Sequence, residues 1–188
     1  MLSTKVKEQT VSAHRQLESH PLFHNLNGRF EEQNYSVLLN KLYTYYSALE
    51  KKYVPFFLDH PLLEIDKRQR AHVLKKDIEN INKGIFTATS NQETSLPVID
   101  SIWKATGALY VIEGSTLGGK FICQSLAQEG LDRSNGAAYF SGYGEETGRM
   151  WKSFLQFMNE VATTEAQEQE VITSAENVFS TLYNWLNK

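Results

Sequence analysis

A run of glycines, Gly114-Ser115-Thr116-Leu117-Gly118-Gly119, interrupts an otherwise good helix. Residues 103–113 before it are mostly apolar and helix-compatible, and residues 120–129 after it resume the helical pattern. Each interior glycine costs about 1 kcal/mol relative to alanine, so three within six positions demand a role that outweighs the cost. Gly114 and Gly118 stand at i, i+4 and share one helix face. With no Cβ on that face, the backbone itself comes close to whatever lies opposite. Two arrangements fit: a closely packed neighbouring helix, or a helix lying against a flat cofactor.

The chain of 188 residues is long enough to bury a sizeable core as one domain. Its net charge of −3 gives no electrostatic footprint for nucleic acid. Lysines and arginines are dispersed, with only short clusters such as Lys67-Arg68 and Lys75-Lys76. The single cysteine, Cys123, excludes an internal disulfide framework and a cysteine-rich metal site; it reads as a small buried hydrophobe. No apolar run reaches membrane-spanning length. Met1 to Lys5 lead straight into a polar amphipathic segment rather than a signal peptide, so the expected location is the cytoplasm.

The rest of the chain reads as helix. Ser3 or Thr4 caps a first helix that runs to about His20, with Val6, Val11, Ala13 and Leu17 on its apolar face, and Pro21 ends it. Asn27-Gly28 marks a turn. Glu31 to Tyr53 forms a second helix, in which Tyr35, Leu38, Leu39, Leu42, Tyr43, Tyr46 and Leu49 follow the i, i+3, i+4 pattern. Pro55 to Pro61 is a break. Asp66 to Asn82 is a third helix, closed by Lys83-Gly84, and Thr87 to Pro97 is a polar connection. Asp100 to Glu129 is the long glycine-bearing helix, apolar around much of its circumference and therefore central. Asp132 to Tyr143 is a loop rich in Gly, Ser and Asn, and Glu145–Val161 and Glu165–Leu186 are the last two helices. Strand-like character is confined to Ala137–Phe140. The expected fold is an all-α, single-domain bundle of six to eight helices.

His14 and Glu18 in the first helix stand at i, i+4, so one turn brings a carboxylate beside an imidazole. Lys7 lies two turns before His14 on the same face. A histidine that donates one N–H to a carboxylate is fixed in tautomer and orientation, and its other nitrogen is free to bind a metal. A surface pair is the alternative arrangement. The remaining histidines are weaker candidates: His20 and His24 flank Pro21, and His60 and His72 read as a loop and a helix-surface residue. No Glu-x-x-His pair occurs, which argues against a di-iron carboxylate bundle.

Three segments together resemble the heme oxygenases, most closely the bacterial type found alongside phytochromes. Lys7-Glu8-x-Thr10-x3-His14-x3-Glu18 is similar to the proximal helix of that family. Leu42-Tyr43-x2-Tyr46-x-Ala48-Leu49-Glu50 is similar to its second helix. Leu109 to Gly119 is similar to its distal helix. Weaker likeness comes from Gly142-Tyr143-Gly144-x2-Thr147-Gly148-x2-Trp151-Lys152-x-Phe154 and from the last helix around Phe179.

The resemblance implies a heme oxygenase bundle with heme held between the proximal and distal helices. It implies that His14 ligates the heme iron with Glu18 as its partner, and that Gly114, Gly118 and Gly119 lie on the distal side. Lys7 and Lys152 would meet the propionates, and Phe179 would line the pocket. Ser115 stands where animal members carry an aspartate that organises distal water. The implied reaction takes heme, O2 and electrons to biliverdin, carbon monoxide and ferrous iron. A neutral imidazole ligand suits oxygen binding, whereas a thiolate favours O–O cleavage. The electrons would come from a separate donor, such as ferredoxin or a reductase, because no flavin or dinucleotide fingerprint is present. The alternative is a heme-binding carrier or sensor of the same fold without turnover.

Overall fold

Proline and capping residues divide the chain close to where its sequence predicts. The computed structural model describes residues 1–24, 26, 30–83 and 95–188, and among these all regular structure is helical. The α-helices are α1 (Leu2–Glu18), α2 (Pro21–His24), α3 (Glu32–Tyr53), α4 (Ile65–Arg68), α5 (Ala71–Ile81), α6 (Ile102–Gln128), α7 (Thr147–Val161) and α8 (Glu165–Leu186). Short 3-10 turns occupy Val54–Phe57, Pro61–Leu63 and Gly144–Glu146. The expected turn at Asn27-Gly28, the terminating Gly84 and most of the connection after Thr87 lie outside the described residues. Residues 137–140 form turns, not a strand.

Local chemistry accounts for the boundaries. The Ser101 side chain accepts from the Lys104 N–H at the start of α6, and Thr164 with Gln167 forms a capping box at the start of α8. α1 ends at Glu18, two residues earlier than expected, and Pro21 opens α2 instead of merely closing α1. His20, between them, is buried edge-on against Tyr183, and its Nδ1 accepts the Leu22 N–H at 3.2 Å. α3 turns an apolar stripe inward, from Tyr35 through Leu38, Leu39, Leu42, Tyr46 and Leu49 to Tyr53. Each such side chain contributes roughly 1.5–3 kcal/mol by leaving water. α1 and α6 both pack on α8, and α3 packs on α5 and α6.

The expected helix over 66–82 is in fact two. Gln69 takes an extended conformation (ψ 126°) and separates α4 from α5. The break leaves Arg68 wholly buried, although the sequence shows it only within the short basic cluster Lys67-Arg68. Its guanidinium pairs with the equally buried Glu113 carboxylate and donates to the Leu63 carbonyl (2.5 Å), the Met150 carbonyl (3.1 Å) and Ser153 Oγ (2.8 Å). The Tyr143 hydroxyl donates to the other oxygen of Glu113. At the start of α5, Glu50 accepts the Arg70 and Ala71 N–H groups at 2.5 and 2.9 Å, satisfying donors the helix cannot.

A second group of side chains holds the irregular segment 131–143. Asp77 accepts the Ala138 and Tyr139 N–H groups at 3.0 and 2.7 Å. Arg70 donates to the Tyr139 and Gly142 carbonyls at 2.9 and 3.3 Å, and the Tyr35 hydroxyl donates to the Gly136 carbonyl at 2.7 Å. Buried backbone without a regular partner is thereby satisfied by side chains.

Removing one member of the Arg68–Glu113 pair leaves a buried, uncompensated charge. Arg68→Ala is expected to lower stability by about 3–5 kcal/mol, whereas the paired replacement Arg68→Met with Glu113→Leu recovers most of that loss. Urea unfolding midpoints of the three proteins check this; an Arg68→Ala protein as stable as the parent contradicts it.

Candidate functional site

α1 and α6, both leaning on α8, leave between them a cleft of about 1170 Å³. That is at or above the upper end of the usual range for small-ligand sites. Lys7, Thr10, Val11, His14, Leu17 and Glu18 line it from α1. Tyr110, Gly114, Ser115, Gly118, Gly119 and Ile122 line it from α6. Tyr46, Tyr139, Phe140, Trp151, Leu155 and Phe179 complete the walls. Val11, expected on the buried face of α1, is 45% exposed and belongs to the cleft instead.

On the α1 side, His14 Nδ1 lies 3.3 Å from the Glu18 carboxylate, and 48% of the side chain is exposed. The His14 ring meets Phe179 edge to face, with centroids 5.6 Å apart, so a rigid aromatic backs it. A carboxylate at Nδ1 favours the tautomer protonated there, which leaves Nε2 as a lone-pair donor. Among the described residues, no three His, Cys, Asp or Glu side chains gather as a metal cage. His14 therefore offers the chemistry of a single axial imidazole, not of a multidentate site.

The two arrangements open to the glycine run both occur, at different glycines. A Cβ on Gly119 would meet the Phe140 carbonyl oxygen at 2.0 Å, so this glycine packs α6 against the 131–143 segment. Gly107, earlier in α6, has the same role against α8, its Cβ position lying 2.2 Å from the Val171 carbonyl oxygen. Cβ atoms on Gly114 and Gly118 would meet nothing within 4 Å. Their face is bare backbone opening into the cleft, shaped for something flat.

Ser115, between them, is half-buried. Its hydroxyl donates to the Ile112 carbonyl at 2.6 Å, and Tyr139 Oη lies 3.1 Å from both Ser115 Oγ and Tyr46 Oη. Burial pushes both phenols above their ordinary value of 10, so both stay protonated near neutrality. Cys123 is half-buried with Sγ 3.7 Å from Ser141 Oγ, and burial likewise raises its thiol.

The structure thus brings together at one cleft Lys7, His14, Glu18, Gly114, Ser115, Gly118, Gly119 and Phe179. It does not bring Lys152, which is exposed and absent from the cleft walls, while its neighbour Trp151 lines them. Sequence reasoning missed three participants. Tyr139 sits in a segment read as a loop with a strand-like stretch, with no role assigned to it. Arg68 stands in the sequence only as part of a short basic cluster. Glu113 had a visible signal, a lone carboxylate inside the apolar run Leu109–Ile112.

The glycines differ in what substitution does. Gly114→Ala and Gly118→Ala are expected to keep the fold and to raise stability by up to about 1 kcal/mol through helix propensity. Gly119→Ala must displace backbone and is expected to destabilise by about 1–3 kcal/mol. Thermal melts of the three variants test this, and equal behaviour at all three positions contradicts the division of roles.

Comparison with known proteins agrees with the architecture. A comparison with curated proteins finds no match. The chain superposes on a heme oxygenase from Neisseria meningitidis, solved with NO and CO bound, with a TM-score of 0.83 at 20% identity over 100% of this chain and 90% of that one. It superposes on heme oxygenase from Leptospira interrogans with a TM-score of 0.79 at 15% identity, covering 98% of each chain. For heme oxygenase-1 from the cyanobacterium Synechocystis, solved in complex with heme, the TM-score is 0.74 at 20% identity over 99% and 90%. The expected all-α heme oxygenase fold is therefore present. The family model described as heme oxygenase matches residues 1–188, end to end, and the chain belongs to the heme oxygenase family.

Proposed function

We propose that this protein cleaves heme oxidatively to biliverdin, carbon monoxide and ferrous iron, using O2 and electrons from a separate donor such as ferredoxin or a reductase. One observation carries the reading: a carboxylate-partnered imidazole on α1 and a Cβ-free stretch of α6 line opposite walls of one large cleft. The residues fit a flat iron macrocycle. His14 supplies a single neutral nitrogen ligand, and Glu18 orients it. Gly114 and Gly118 let a planar ring approach the α6 backbone. Phe179 and Trp151 provide apolar contact, and Lys7 at the cleft mouth pairs with propionate charge. Lys152 is exposed and is not among the residues that line the cleft, so this proposal gives it no part.

Bound heme is at once the redox centre and the substrate. The protein's contribution is orientation, exclusion of bulk water and a hydrogen bond on the α6 side. Gly114 and Gly118 would let the backbone wall of α6 stand close over one face of a bound ring, leaving room there only for a small ligand. Ser115 is the side-chain hydroxyl on that wall between the two open glycines, and it holds the water that delivers protons there.

Mixing the protein with hemin is expected to give a stoichiometric complex with a Soret band, and His14→Ala is expected to lose the axial-imidazole signature. An unchanged spectrum in that variant rules out the ligand assignment. With O2 and ascorbate or reduced ferredoxin, the Soret band is expected to decay while a broad red bilin absorption grows. A complex that only autoxidises makes the protein a carrier or sensor instead.

A further inference from the structure

Three hydroxyls stand in a row at the end of the cleft, and their protons can be counted. Each hydroxyl has one proton and two lone pairs. Ser115 spends its proton on the Ile112 carbonyl at 2.6 Å. The 3.1 Å contact with Tyr139 is then satisfied only if Tyr139 donates to Ser115. Tyr139 is placed to donate to Tyr46 as well, at 3.1 Å, but its single proton serves only one of the two acceptors at a time. Of the two, only donation to Ser115 leaves both contacts of the serine hydroxyl satisfied, and the row then runs from Tyr139 to Ser115 to the Ile112 carbonyl.

Tyr139 is held in this place by charges behind it. Asp77 takes its N–H and that of Ala138, and Arg70 takes its carbonyl. The Arg70 guanidinium also lies 5.6 Å from the Tyr139 ring centre. The charged and titratable groups facing Tyr139 are Tyr46 and Glu50 from α3, Arg70 and Asp77 from around α5, with Ser115 from α6 and His14 on the far wall of the cleft. The irregular segment is thus fixed at three backbone atoms beside this phenol.

We infer that Tyr139 is a positioning residue. By donating to Ser115, it locks that hydroxyl against the Ile112 carbonyl and leaves one lone pair of Ser115 for a proton donor in the cleft. A carboxylate at this position is an acceptor only. A serine pinned on both sides acquires the same polarity, so Tyr139 makes Ser115 act as an acceptor where a free serine rotates between donating and accepting. The inference rests on the heme reading of the cleft, and it assigns to Tyr139 a role that the sequence reading left blank.

Two measurements test it together. In the ligand-free protein, Tyr139→Phe and Ser115→Ala are expected to be non-additive in thermal melts, the double variant melting no lower than the more destabilised single. Additive losses overturn the hydrogen bond itself. In the hemin-loaded protein, the visible spectrum is followed through the alkaline transition of the water on the α6 side. An acceptor stabilises the protonated form of a water it holds, so Tyr139→Phe is expected to lower the midpoint by roughly 0.5–1 pH unit, one hydrogen bond expressed as proton affinity. Ser115→Ala is expected to lower it similarly, with no further fall in the double variant. A midpoint unmoved in Tyr139→Phe means that the phenol serves packing alone, and a rise means that Ser115 donates; either overturns the inference. Failure of the unmutated protein to bind hemin removes the functional reading and this role with it, whereas a normal complex with an unmoved midpoint removes only the role of Tyr139.

Discussion

A helix that presents two glycines to open space has given up side-chain packing on that side, so it must be held from every other direction. α6 meets this constraint from behind. Glu113, immediately before Gly114, is locked by Arg68 and Tyr143. Gly119 seats against the Phe140 backbone, and Gly107 seats against α8. Thr116 donates back to the Glu113 carbonyl at 2.7 Å. The free face is therefore a consequence of an overdetermined rear face. Bare backbone without such support would be expected to fray or to collapse onto α1.

The same division separates charge from apolar surface. Arg68, Arg70, Asp77, Glu50 and Glu113 are buried, each with partners, and Arg68, Arg70, Asp77 and Glu113 secure α6 or the 131–143 segment. The cleft, by contrast, is lined mainly by aromatic, aliphatic and glycine residues, with a few polar groups at defined points. His14 marks one wall and the Ser115–Tyr139–Tyr46 row marks the end near the other. Buried charges fix the walls in place, and the cleft itself carries only a few charged side chains, Lys7 and Glu18 on α1.

The sequence made the helical order legible because its signals were local. The stripe from Tyr35 to Tyr53 and the four prolines each act within a turn or two, whereas the expected cap at Ser3 or Thr4 does not form, α1 starting at Leu2 without a side-chain cap. The His14–Glu18 pair was legible for the same reason, being set by helix geometry alone. The functions of the individual glycines were not. Nothing in residues 114–119 distinguishes the glycine that touches Phe140 from the two that touch nothing, because the difference lies in a segment some twenty residues away. The burial of Arg68 was not legible either, because the sequence shows only a short basic cluster at Lys67-Arg68 and the break at Gln69 is what separates α4 from α5. Lys152 was expected at the cleft from a motif; on α7 it is exposed, and its neighbour Trp151 is the residue that lines the wall. Tyr139 lay in a loop, where periodicity carries no information.

A crystal structure of the hemin complex tests the central claim most directly. The account predicts a single porphyrin between α1 and α6, with His14 Nε2 on the iron and the Gly114 and Gly118 backbone as the nearest protein atoms on the opposite face. A porphyrin bound elsewhere, or one ligated by another residue while the cleft between α1 and α6 stays open, would contradict it.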